Sequence, residues 1–489
     1  MTTSPQRKSS TSPLAHPENS HRFSLPGLVQ STTFYGLLLI IVAAAFPYGE
    51  VGSPLQLIYA SFIYLLGAVH ATNRLLERSL DFADKALIYP IIGLLILTVF
   101  QIIPLPLTPP MSDATQIRNE YISLDRHSTV SFLFLFGSLA VMGETLMHLA
   151  NTRKRLIALA ATAVIVGVGS ALFGVVRDGI MAAGDTLPIQ AVDVSAAQYA
   201  QFINRNHFAL LVEMTLGLLL GLLLKAKLSV PWKAALGIVI AFCWFAIISA
   251  NSRGGIISSA GVIVLAAFVH LLTRTSRLEP DISRPASSFA RQLKLALAVT
   301  ALIVVLSGTL IVSVALIGGE TTVGRFERSG GELAAVDGRA SRLEIWSSTL
   351  RLISASPLSG SGFGAYSVAI TPYDTASGAS QLIHQAHNEY LEIIAGGGII
   401  AGALALLFLG LAVKRIVQRF NERGRFERAI GFGAGLGMAG VMLHSFVDFG
   451  LHVQINALVF VSLIVLAAAR VNSARRLRRS PEDKRIVAV

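Results

Sequence analysis

Cysteine is all but absent. Cys243 is the only one, which excludes an intrachain disulfide, and its place inside an apolar run leaves it silent about redox compartment. Charge is scarce too, at 14% of 489 residues against 53% hydrophobic. The hydrophobic residues fall into long runs, so the solvent for most of the chain is lipid. Acidic residues are the scarcer sign, 28 against 40 Lys and Arg. That excess would suggest nucleic acid in a soluble protein, but here the basic residues sit in short loops between apolar runs, as positive-inside topology requires. A nucleic-acid partner is therefore excluded. The first thirty residues lack the short apolar core and cleavage site of a signal peptide. No phosphate-cradling G-x-x-x-x-G-K and no nucleophile elbow in its proper context occur, which excludes nucleotide hydrolysis.

Apolar runs are present near 33–49, 54–73, 87–104, 130–150, 157–176, 206–224, 233–250, 255–273, 294–318, 391–412, 429–447 and 453–471. Each is near the length a spanning helix needs, so the expected fold is all-α, a polytopic membrane protein with about 12 transmembrane helices. Basic residues mark every even-numbered loop: Arg74, Arg78 and Lys85; Arg153, Lys154 and Arg155; Lys225 and Lys227; Arg274, Arg277, Arg284 and Arg291; Lys414, Arg415, Arg419 and Arg423. Both termini are then expected in the cytoplasm. The domain reading is a disordered cytoplasmic tail over 1–30, helices one to nine over 31–318, a long, partly helical outer loop over 319–390, helices ten to twelve over 391–471, and a basic tail over 472–489.

Polar residues without a topological reason gather at the outer helix ends. They are Asn204, Arg205, Asn206 and His207 in N-R-N-H, Asn251, Ser252 and Arg253 in N-S-R-G-G, and Arg325, Arg328, Arg339 and Arg342 in the long loop. His384, His387 and Asn388 follow in H-Q-A-H-N-E-Y-L, and His444, Asp448 and His452 in H-S-F-V-D-F-G-L-H. A guanidinium stays charged when partly desolvated and its planar fork suits phosphate, so Arg253 and Arg342 favour an anion site. His444 and Asp448, one helical turn apart, are expected to share a face and hydrogen-bond. Leu343, Trp346, Leu350 and Ile353 recur at helical spacing up to Pro357, which predicts an amphipathic helix at the membrane surface. Gly360, Gly362 and Gly364 then allow sharp turns. The first outer loop offers only Glu50 as an acid, and no outer loop contains Asp-x-Asp. Neither a metal site nor a cofactor is expected.

With N-x-N-H, S-R-G-G, R-x-x-I-W, P-L-x-G-x-G-F-G and H-N-E-Y-L leading into G-G-G-I-I-A-G, the chain resembles the O-antigen ligase and polymerase superfamily. Ala401 stands where that family usually has a second glycine, with Gly402 next; this reads as a packing variation. The resemblance covers about 35 to 470. It implies a GT-C-like, metal-independent glycosyltransferase of the bacterial inner membrane, with its site facing the periplasm. The donor would be a polyprenyl-diphosphate-linked glycan and the acceptor a lipid A core oligosaccharide, or a growing glycan if the enzyme is an O-antigen or exopolysaccharide polymerase. Arg253 and Arg342, with Arg339, would hold the donor diphosphate. His387 would meet the acceptor hydroxyl, and Asn388, Asn206, His207, Asp448 and His444 would support it. A transporter is the reading from another class, but transporters place ionisable residues at mid-membrane and often show repeats, and no repeat is found here.

Overall fold

The computed structural model describes residues 25–46, 54–104, 121–182, 199–275, 342–374, 383–420 and 424–471. Eight helices come first: α1 (Leu25–Ala43), α2 (Pro54–Leu76), α3 (Lys85–Ile102), α4 (Arg126–Leu149), α5 (Arg153–Ala182), α6 (Arg205–Lys225), α7 (Val230–Ser249) and α8 (Arg253–Thr275). After the undescribed stretch come α9 (Arg342–Ala355), the short α10 (Tyr366–Ala369), α11 (Glu389–Phe420), α12 (Arg425–His444) and α13 (Gln454–Ala468). The described residues form no strand, and nine of their helices (α1 to α8 and α11) are long and apolar enough to cross a membrane. The protein is a polytopic membrane protein. The ninth expected span, 294–318, lies outside the described residues, and the eleventh and twelfth fall on α12 and α13.

Helix starts follow from short polar side chains that accept the first free backbone N–H groups. Asp84 caps α3 through the Ala86 N–H, Asp125 caps α4 through that of Ser128, and Asn204 caps α6 through that of Asn206. Several helices outrun their hydrophobic stretches. α5 begins at Arg153, and α11 continues through Lys414, Arg415 and Arg419, which the charge pattern assigns to a loop. Those arginines extend the helix because they find partners: Arg415 donates to Asp84, while buried Arg419 donates to the carbonyls of Ala469 and Leu466.

Helix α6 is the axis of the bundle, with every residue from His207 to Gly221 buried. It packs on α12 through facing glycine pairs. A methyl on Gly217 would lie 2.2 Å from the Gly437 nitrogen, and one on Gly221 would lie 2.4 Å from the Gly433 backbone. Both helices thus carry a G-x-x-x-G stripe that lets backbones touch, the usual device where lipid removes the hydrophobic incentive for helices to associate.

Two long-range features build the end of the bundle where α11 begins. First, α11 is broken at Gly398, whose φ of 67° and ψ of −168° interrupt the helix. The freed backbone groups are met by the glycine loop after α9: Ser361 N–H donates to the Ala395 carbonyl, Gly362 N–H to that of Gly396, and Ile399 N–H to that of Pro357. Gly360, Gly362 and Gly364 all have positive φ, as expected. Buried Gln101 of α3 fastens the junction, donating to the carbonyls of Ser359 and Gly396 at 2.7 Å each while accepting from the Phe363 N–H at 3.1 Å. Ala401, the variant position, is fully buried beside Leu97 and Phe363.

Second, α9 lies against the chain segment before α11. Its apolar stripe is not the one the spacing suggests. Ile345, Ser348, Thr349 and Leu352 are buried, with Trp346 and Ile353 partly so, whereas Leu343 and Leu350 are 55% and 54% exposed. Of the four residues the spacing names, Trp346 and Ile353 pack on the protein side and only Leu343 and Leu350 face outward.

Candidate functional site

At one end of the bundle the starts of α6 and α11 and the turn after α12 meet around one carboxylate. Asp448, in the turn after α12, is 1% exposed. His387 Nδ1 lies 3.7 Å from its Oδ1, and His207 Nε2 lies 3.8 Å from its Oδ2. Burial favours the protonated acid, but the approach of His387 and the charges of His207 and His444 outweigh it and hold the Asp448 carboxyl low, at about 2. It is an ionised group between two imidazoles. Phe449 sets their spacing, with its ring edge-on to His207 at 4.8 Å, to His387 at 4.9 Å and to His452 at 5.9 Å between centroids.

His387 keeps about a third of its side chain exposed and has a φ of 50°, a conformation non-glycine residues adopt at some cost. The surroundings hold it there. Asn388 caps α11 by accepting from the N–H groups of Tyr390 and Leu391, and its amide donates to the Phe446 carbonyl at 3.0 Å. Glu389 N–H donates to the Ser445 carbonyl, so the start of α11 is tied to the turn that carries Asp448. On the other side Trp346 of α9 donates its indole N–H to the carbonyl of Ala386, the residue before His387.

His444 does not pair with Asp448 as expected. Its Nδ1 lies 2.8 Å from Oε1 of Glu213, and both side chains are buried completely or nearly so. The reason is direction: His444 ends α12 facing α6, whereas Asp448 lies beyond the helix, in the turn. Asn206 supports the other flank, since Ser252 donates to its Oδ1 at 2.8 Å and accepts from the Gly255 N–H. That bond joins the first turn of α6 to the start of α8, where Arg253 is the first residue. Gly254 follows, and a methyl there would lie 2.9 Å from His444 Nε2. Arg342 is the first residue of α9, one helical turn before Trp346, which binds the carbonyl beside His387. Arg253, Arg342, His387, Asn388, Asn206, His207, His444 and Asp448 thus belong to one neighbourhood. Arg339 lies outside the described residues, as do Arg325 and Arg328.

The family comparison fits this neighbourhood. Residues 236–407 match the family model described as O-Antigen ligase. Over that stretch the chain is similar to the O-antigen ligase family. The matched stretch includes Arg253, Arg342 and His387, while the α6 and α12 residues of the site lie to either side of it. No curated protein matches the chain.

Sequence reasoning passes over three residues of the site. Glu213 was legible as a lone acid in an apolar span, which is a functional signal in membranes. Gln101 gave the weaker sign of an amide within an apolar run. Phe449 is one aromatic among 25 phenylalanines and carried no signal. A further cluster adjoins His387: His452 Nε2 lies 3.5 Å from Glu389 and 3.5 Å from Glu392, and Glu392 also accepts from the Ala386 N–H. Among the described residues no group of three His, Cys, Asp or Glu is arranged to hold a metal ion.

Proposed function

We propose that this O-antigen ligase relative transfers a glycan from a polyprenyl-diphosphate donor to a sugar hydroxyl at the periplasmic face, with a lipid A core oligosaccharide as acceptor. What carries the reading is that two arginines begin helices beside the same buried His and Asp cluster on which His387, about a third exposed, rests. In the reaction the acceptor hydroxyl attacks the anomeric carbon, the bond from that carbon to the diphosphate breaks, and polyprenyl diphosphate leaves. Arg253 and Arg342 meet the charge that develops on the leaving diphosphate, which preorganised cations can do without a metal. His387 takes the acceptor proton, a contribution typically of ~10²- to 10⁴-fold, and the Asp448 carboxylate orients its ring and stabilises the imidazolium that forms. A polymerase would use the same groups on a polyprenyl-linked acceptor.

The test is donor binding alongside transfer in purified variants. Arg253→Ala and Arg342→Ala are expected to lose both in the presence of EDTA as in its absence, with Arg253→Lys falling between, because lysine keeps the charge and loses the fork. His387→Ala is expected to bind donor analogue and fail to turn over. Full transfer by His387→Ala would remove it from the chemistry, and unchanged donor affinity in both alanine variants would make the arginines structural. Loss of wild-type activity to EDTA, restored by a divalent ion, would reveal a metal requirement.

A further inference from the structure

Glu213 sits inside α6 with no exposed surface, and a carboxylate in that position is costly unless it is paired. Its partner is His444, at 2.8 Å through Nδ1. The imidazole is therefore held from one side. Its other nitrogen, Nε2, is buried, has no hydrogen-bond partner among the described residues, and is turned to the first turn of α8 at Gly254. Ser258, one turn further along α8, hydrogen-bonds back to the Gly254 carbonyl at 2.7 Å and so holds the turn that faces the ring. So α6, α8 and α12 meet at this pair, and the helix that it contacts begins with Arg253.

Resting on the donor-site assignment above, we propose that Glu213 and His444 are positioning residues for the donor diphosphate. Glu213 fixes the ring of His444, and the ring fixes the start of α8 and with it the Arg253 guanidinium. Glycine at 254 belongs to the device, since a methyl there would press on Nε2 at 2.9 Å. Neither residue touches substrate. The acceptor side of the site, around His387, is held by other contacts, those of Asn388, Trp346 and Phe449.

That division supplies the test, which uses the full-length protein in lipid nanodiscs with separate donor and acceptor titrations. Glu213→Leu and Gly254→Ala disturb His444 from opposite sides. Each is expected to raise the donor KM on the order of tenfold, the scale of one charge-assisted bond, and to leave the acceptor KM unchanged. Glu213→Gln, which keeps an accepting oxygen, is expected to recover part of the loss. In a His444→Ala background neither change should weaken donor binding further. A parallel rise in both KM values, or losses that add in that background, would overturn the proposal. If Glu213→Leu does not insert, Gly254→Ala carries the same comparison alone. Arg253→Ala serves as the control: should it retain donor affinity, the donor-site assignment itself fails, whereas normal donor affinity in Gly254→Ala beside a defective Arg253→Ala sinks only the positioning role.

Discussion

His387 Nδ1 lies 3.7 Å from Oδ1 of Asp448, and through this approach the start of α11 and the turn after α12 act as one unit. The carboxylate is ionised throughout the neutral range because its pKa is held at about 2. It therefore gives the imidazole a fixed negative neighbour while a proton arrives.

Replacing that charge without changing shape isolates its role. Asp448→Asn is expected to lower transfer on the order of 10²-fold, the smaller end of what a general base contributes, while donor-analogue binding changes little. Steady-state transfer beside equilibrium binding checks this. Equal loss of binding would mean that Asp448 shapes the donor site instead.

The His452 cluster makes stability depend on alkaline pH. Burial alone would lower the pKa of His452, but Glu392 and Glu389 outweigh burial and push it up to about 9, above the ~6.5 of an unfolded histidine. A folded-state pKa above the unfolded value contributes stability that is complete below about 6.5 and is lost as pH rises through about 9. Thermal unfolding midpoints between pH 6 and pH 10 should fall across that window in the wild type and stay flatter in His452→Gln. Parallel curves would assign the fall to other groups.

Gly398→Ala should damage this end of the bundle from within α11. The residue has a φ of 67°, and a methyl would lie 2.1 Å from the Leu358 carbonyl oxygen, so the glycine loop must undock. Gln101→Leu should do the same by stranding the Ser359 carbonyl and the Phe363 N–H, at about 1–3 kcal/mol for each buried group left unpaired. Faster proteolysis of the 356–365 segment and a lower unfolding midpoint are expected in both; unchanged protease resistance would show that docking does not depend on these contacts.

The proposed orientation is tested by reporter fusions. Fusions after Lys85, Arg155, Lys227, Arg291 and Arg423 should report cytoplasm, and one at Ser380 should report the periplasm. A cytoplasmic signal at Ser380 would put the site on the wrong side for the proposed substrates.

Membrane class, helical fold, most span positions and the principal candidate residues were legible in the sequence alone, because each depends on composition or on near neighbours. Long apolar runs require lipid whatever their partners are. Asn388 caps its own helix, and Gly360, Gly362 and Gly364 turn the chain where they stand. Partnership was not legible. His444 and Asp448 share a helical spacing in H-S-F-V-D, yet the fold gives His444 to Glu213 and leaves Asp448 between His387 and His207. The break at Gly398 and its closure by Gln101 likewise depend on backbone groups of three separate segments. Local spacing governs which side chains share a helix face. Which helices meet was decided by the glycine stripes on α6 and α12 and by the need of each buried polar group for a partner distant in sequence.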